Sequence, residues 1–206
     1  SLPAGGSLRM LGNWQINDLT AGGSLTVGGT LRVLNSLQLP AGGAVTCYPP
    51  FDWTNDMIVA GTFCLTNPLQ TNVLLVCGRD LTLTNGGKLH LYSGTTNGPS
   101  PLYGGLVSVA GDMVVRSNAT VYPYAAPTNG GAVWFRVRNL TVQPTGGFNA
   151  DAKGFAGGWG SGGSWQPGFG PGGGGARAGG GYGGKGGGVP GGGGALCGYS
   201  NAPAMP

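Results

Sequence analysis

Through most of the first 150 residues, apolar and polar positions alternate at period two, in short runs separated by glycine pairs. The runs include Ser24-Leu25-Thr26-Val27, Thr30-Leu31-Arg32-Val33, Asp80-Leu81-Thr82-Leu83 and Lys88-Leu89-His90-Leu91. Asp112-Met113-Val114-Val115, Ala119-Thr120-Val121-Tyr122, Ala132-Val133-Trp134-Phe135 and Asn139-Leu140-Thr141-Val142 continue the series. Successive side chains leave a strand on opposite faces, so this alternation predicts half-buried β-strands.

The breaks between runs recur as well. Ala4-Gly5-Gly6-Ser7, Ala21-Gly22-Gly23-Ser24 and Ala41-Gly42-Gly43-Ala44 begin 17 and 20 residues apart. Asn85-Gly86-Gly87-Lys88 and Asn129-Gly130-Gly131-Ala132 follow at steps of 44, which reads as two coils of about 22 each. A period near 20 made of short strands is a repeat signature, since one coil cannot bury its apolar face until others stack on it. The pattern predicts an all-β chain whose residues 1–150 form a parallel β-solenoid of roughly seven coils. A β-sandwich, whose strands recur every 8–12 residues, is the alternative.

Two segments interrupt this rhythm. Residues 46–72 carry Tyr48-Pro49-Pro50-Phe51-Asp52-Trp53 and Asn67-Pro68, and read as an aromatic, proline-containing insertion. Residues 93–104, with Asn97-Gly98-Pro99-Ser100-Pro101, read as a loop. From about Asp151 the composition changes: between Gly154 and Gly198, 25 of 45 residues are glycine. A flexible linker seldom carries aromatics such as Phe155, Trp159, Trp165, Phe169, Tyr182 and Tyr199. Residues 151–206 are therefore expected to pack as a polyglycine II-like layer on the body or on a neighbouring subunit.

Charge narrows the function classes. Only 8% of residues are charged, glutamate is absent, and the net charge is +4. The ten cations are scattered, with only Arg136 and Arg138 close together, so a nucleic-acid footprint is missing. No apolar run approaches the ~20 residues of a membrane span. Low charge and four cysteines suit an oxidising, extracellular setting. Of three possible pairings, Cys47–Cys64 and Cys77–Cys197 are expected, the first closing the insertion and the second tying down the tail.

Catalytic and cofactor chemistry finds little support. Asp52 and Asp56 are the only close acid pair, which suits solvated loop carboxylates better than a glycosidase pair. His90 faces away from Leu89 and Leu91 and has no Ser–Asp context. The run Gly172–Gly175 lacks a following Gly-Lys-[Ser/Thr], which excludes a phosphate loop. Thr82 and Thr84 make too short a threonine array for ice binding, and Asn118 and Asn139 match the glycosylation acceptor pattern without further support. No cofactor is expected, and no enzyme.

On these residues the chain resembles bacterial and phage extracellular β-solenoid proteins with glycine-rich segments. The run Gly154 to Gly198 is similar to the polyglycine domains of phage tail-fibre adhesins, in which packed polyglycine II helices present loops to a host receptor. The expectation is an extracellular structural protein, a filament or surface-layer subunit joined head to tail by β-strand addition. The alternative is a receptor- or glycan-binding adhesin using Tyr48, Trp53, Trp159, Trp165 and Tyr182.

Overall fold

The computed structural model describes residues 1–84, 86–96, 103–127 and 131–155. Ser1–Ala126 and Gly131–Gly154 form one compact unit. The second unit, Pro127–Gly130 with Phe155–Pro206, lies almost wholly outside the described residues, and with it the expected polyglycine layer.

Among the described residues there are strands and no helix. They are β1 (Ser7–Leu11), β2 (Trp14–Thr20), β3 (Ser24–Gln38), β4 (Ala44–Tyr48), β5 (Phe51–Trp53) and β6 (Met57–Val59). Next come β7 (Thr62–Leu65), β8 (Val73–Cys77), β9 (Leu81–Leu83), β10 (Lys88–Tyr92) and β11 (Gly105–Val109). The last are β12 (Met113–Val115), β13 (Thr120–Tyr124), β14 (Val133–Arg136), β15 (Leu140–Val142) and β16 (Gly147–Phe148).

Three sheets collect them. The first runs β1-β3-β4-β7-β10-β13-β16, with β2 also on β3; the second runs β14-β11-β8-β5 and the third β15-β12-β9-β6. From β4 onward the chain visits the sheets in strict rotation, and the pairs are parallel throughout. Parallel neighbours need a long return path, and here that path is the passage through the other two sheets. This is an all-β, parallel-strand architecture of the solenoid-like class; the parallel register excludes an antiparallel sandwich.

Register turns alternation into columns. Inward residues stack between the sheets, as in Leu25, Val45, Phe63, Leu89 and Val121 on the first sheet. Met57, Leu81 and Met113 do the same on the third, and all eight side chains are buried. Each layer thus covers the apolar face of the one before it, which a single layer could not do.

The glycine pairs have separate tasks. The N–H groups of Gly6, Gly43, Gly87, Ala119 and Gly146 donate to the carbonyls of Pro3, Pro40, Thr84, Arg116 and Gln143. The residue before each donor has positive φ: Gly5 (76°), Gly42 (86°), Gly86 (78°), Asn118 (62°) and Thr145 (64°). A type II turn requires that conformation at its third position. The second glycine answers a close approach instead, because a Cβ on Gly23, Gly43 or Gly87 would overlap a carbonyl oxygen of a neighbouring layer, as would one on Gly61, which follows Ala60.

Two expectations are corrected. Residues 46–72 are not an insertion: they hold the end of β4, all of β5, β6 and β7, and the turn that follows. Prolines and aromatics masked three short strands whose inward residues, Phe51, Trp53 and Met57 among them, are core. The even spacing of 44 is also composite. First-sheet partners are Ser7, Ser24, Ala44, Thr62, Lys88, Thr120 and Gly147, giving steps of 17, 20, 18, 26, 32 and 27. Gly42 to Gly86 spans one step of 18 and one of 26, and the counterpart of Gly86 in the next layer is Asn118, not Gly130.

Candidate functional site

Among the described residues no disulfide is formed, and Cys47, Cys64 and Cys77 are free thiols. Thr46 pairs with Cys64 and Cys47 with Leu65, so the two cysteines are one residue out of step on adjacent strands. Period two then sends Cys47 inward, where it is fully buried, and Cys64 outward. Side chains that leave opposite faces of a sheet cannot be bridged. Cys77 is buried, and its partner in the expected pairing, Cys197, lies outside the described residues.

The expected contact residues scatter. Trp53 is 2% exposed, and its indole Nε1 donates to the Asp56 carbonyl at 2.9 Å, so it belongs to the core and is closed to a glycan. Tyr48 is half-buried on the outward face. Trp159, Trp165 and Tyr182 lie outside the described residues. Asp52 stands on β5, whereas Asp56 sits at the corner before β6 with Arg79 at 3.6 Å. Thr82 lies in a mixed outer column with Ile58, Val114 and Thr141.

His90 is set in an aromatic group on the outer face of the first sheet. Its ring stacks on Tyr122 at 4.5 Å, and its Nδ1 lies 3.3 Å from the Tyr124 hydroxyl. Tyr92 stacks on Tyr124 at 4.1 Å, and Lys153 Nζ stands 5.3 and 5.0 Å from the centres of Tyr122 and Tyr124. Burial, then Lys88 and Lys153, hold the His90 pKa below its ordinary value. Burial and the Tyr124 hydroxyl push the Tyr92 phenol up to about 12.

Two further arrangements stand out. The first is at the ends of the stack. Leu8 and Trp14 are in register with Leu25 and Leu31, which are 2% and 1% exposed, yet they are 47% and 44% exposed themselves. At the other end Leu140 and Val142 are in register with the fully buried Met113 and Val115, but are 49% and 45% exposed. Among the described residues, core columns therefore surface at both ends, beside the outermost strands β1 and β2 at one and β14, β15 and β16 at the other.

The second is a polar ladder at the corner before the third sheet. Asp56, Asp80, Asp112 and Asn139 each precede an inward Met or Leu in the same register column. The Asp80 N–H donates to Asp56 Oδ1 at 3.2 Å, and the Asp112 N–H donates to Asp80 Oδ1 at 2.8 Å. Asn139 Nδ2 and Arg138 Nε both donate to Asp112 Oδ1 at 2.8 Å. Those two donors hold the Asp112 carboxyl below its usual range. One position earlier the column reads Asn55, Arg79, Gly111, Arg138, and a Cβ on Gly111 would overlap Asp80 Oδ1. A cleft of about 280 Å³ opens there, lined by Gly78, Arg79, Asp80, Ala110, Gly111 and Arg138. Sequence reading missed this ladder by pairing Asp56 with Asp52; the signal was an acid or amide directly before Met or Leu at 56, 80, 112 and 139.

Among the described residues no group of His, Cys, Asp or Glu is placed to hold a metal, and no helix is long and apolar enough to cross a membrane. No protein-family model, no curated protein and no solved structure matches the chain.

Proposed function

We propose that the chain is an extracellular structural protein, a β-solenoid of roughly seven coils that stacks head to tail into a filament or surface layer. The single observation that carries this reading is the surfacing of core columns at both ends, with Leu8 and Trp14 at one and Leu140 and Val142 at the other. The two ends belong to one parallel stack and run in the same strand direction, so one copy can continue the columns of another. Open strand edges are templates for pairing with a second chain. An end-to-end contact between different surfaces is heterologous and grows without closing unless the rotation returns on itself. The glycine-rich segment and the resemblance to phage and bacterial surface proteins suit the extracellular assignment, and no catalytic role is assigned.

Sedimentation velocity across a concentration series tests the proposal. Wild-type protein is expected to form polymers that grow with concentration, and Trp14→Lys or Leu140→Lys to sediment as a smaller species. A wild-type monomer at every concentration would overturn it. Glycan binding is the second reading, favoured by the cleft between Arg79 and Arg138.

A further inference from the structure

We propose that the corner cleft binds an acidic sugar, with its carboxylate on the guanidinium groups of Arg79 and Arg138 and a neighbouring hydroxyl on Asp80. The cleft exists because Gly111 interrupts a column that carries arginine at 79 and at 138, and the ladder forbids a side chain there.

Each arginine faces an acid through Nε, Arg138 by a hydrogen bond and Arg79 by a longer ion pair. Arg79 Nε lies 3.6 Å from Asp56 Oδ1, and Arg138 Nε donates to Asp112 Oδ1 at 2.8 Å. The terminal nitrogens of both have no partner among the described residues, and the side chains are 64% and 62% exposed. An acid on Nε orients the fork and leaves its two terminal nitrogens to a planar oxyanion, for which arginine geometry is suited.

Asp80 decides which oxyanion fits. Its Oδ1 accepts the Asp112 N–H, while Oδ2 has no partner among the described residues. Asp56 and Asp112 already face the two arginines, so Asp80 is a third carboxylate against two guanidiniums, and a bare carboxylate or phosphate is repelled. A ligand that carries hydroxyl donors beside its carboxylate satisfies Asp80 and the arginines together, and uronate rings have that arrangement. The chain's net charge of +4 adds a long-range attraction for such polymers.

The test is isothermal titration of the full chain with three probes. They are a tetrasaccharide of alternating glucuronate and N-acetylglucosamine, the neutral chitotetraose, and glutarate, a dicarboxylate without hydroxyls. The tetrasaccharide is expected to bind at least tenfold more tightly than either other probe. Arg79→Ala and Arg138→Ala should each weaken it tenfold or more, and Arg138→Lys, which keeps the charge and loses the fork, should not restore it. Asp80→Asn should weaken the tetrasaccharide and strengthen glutarate. Circular dichroism checks that each variant is folded. Tetrasaccharide binding that survives both arginine substitutions, equal binding of glutarate, or no binding at millimolar ligand would each overturn the assignment. None of these readings depends on end-to-end assembly.

Discussion

Leu140 stands directly in register with Met113, yet Met113 is fully buried and Leu140 is 49% exposed. The two occupy one column, one layer apart, so the difference is whether a further layer lies above. Their substitutions should separate accordingly. Met113→Ala leaves a cavity in a packed interior and is expected to cost about 2–5 kcal/mol. Leu140→Lys should change the stability of the single chain by less than about 0.5 kcal/mol, as at other surface positions. Urea denaturation of dilute protein measures both.

The glycine pairs give a second contrast. Gly43→Ala places a Cβ on the Ala21 carbonyl oxygen, a backbone atom that cannot step aside. Gly42→Ala meets nothing within 4 Å but must hold a φ of 86°. The expected order of destabilisation is Gly43→Ala first, at about 3 kcal/mol or more by analogy with overpacked cores, then Gly42→Ala at about 1–2 kcal/mol. Gly147→Ala, with open space around it and no positive φ, should be near neutral. Thermal melts of the three variants rank them.

His90 makes stability depend on pH. Its folded pKa lies below the ordinary 6.5 because burial and the Lys88 and Lys153 charges oppose protonation. The groups around it are Cys64 from β7, Lys88 and Tyr92 from β10, Tyr122 and Tyr124 from β13, and Lys153. The unfolded chain binds its proton first as pH falls, so this contribution is fully present above 6.5 and is lost as pH drops toward the folded pKa. Denaturation midpoints between pH 7.5 and 5 should fall for the wild type and change less for His90→Gln. Equal slopes in the two proteins would contradict the placement of His90.

The three described thiols should behave as free. Burial, with Cys64 nearby, pushes the Cys47 thiol far up, and burial raises Cys64 and Cys77 as well. Cys64, half-buried on the outer face, is expected to react with a thiol reagent in the native state before Cys47 does. Mass spectrometry after alkylation in denaturant without reductant should find Cys47, Cys64 and Cys77 all modified.

Strand chemistry was legible where alternation was clean. Leu81-Thr82-Leu83 and Lys88-Leu89-His90-Leu91 fall on β9 and β10 with the expected faces inward. Phe51-Asp52-Trp53 was hidden because a strand of three residues between prolines and a corner offers too few positions for a period to show. Unequal layers, from 17 to 32 residues, then gave an even spacing of 44 only as a sum. The Cys47 and Cys64 faces could not be read locally, since they depend on the register between β4 and β7. The same holds for the ladder from Asp56 to Asn139, whose members meet only across layers.

Head-to-tail stacking is tested most directly by negative-stain electron microscopy of the purified native protein, with and without reductant. The account predicts regular fibres or sheets that persist in reductant, because Cys47, Cys64 and Cys77 are free thiols and the stacking rests on strand edges and apolar columns. Discrete particles of single-chain size at high protein concentration would contradict it.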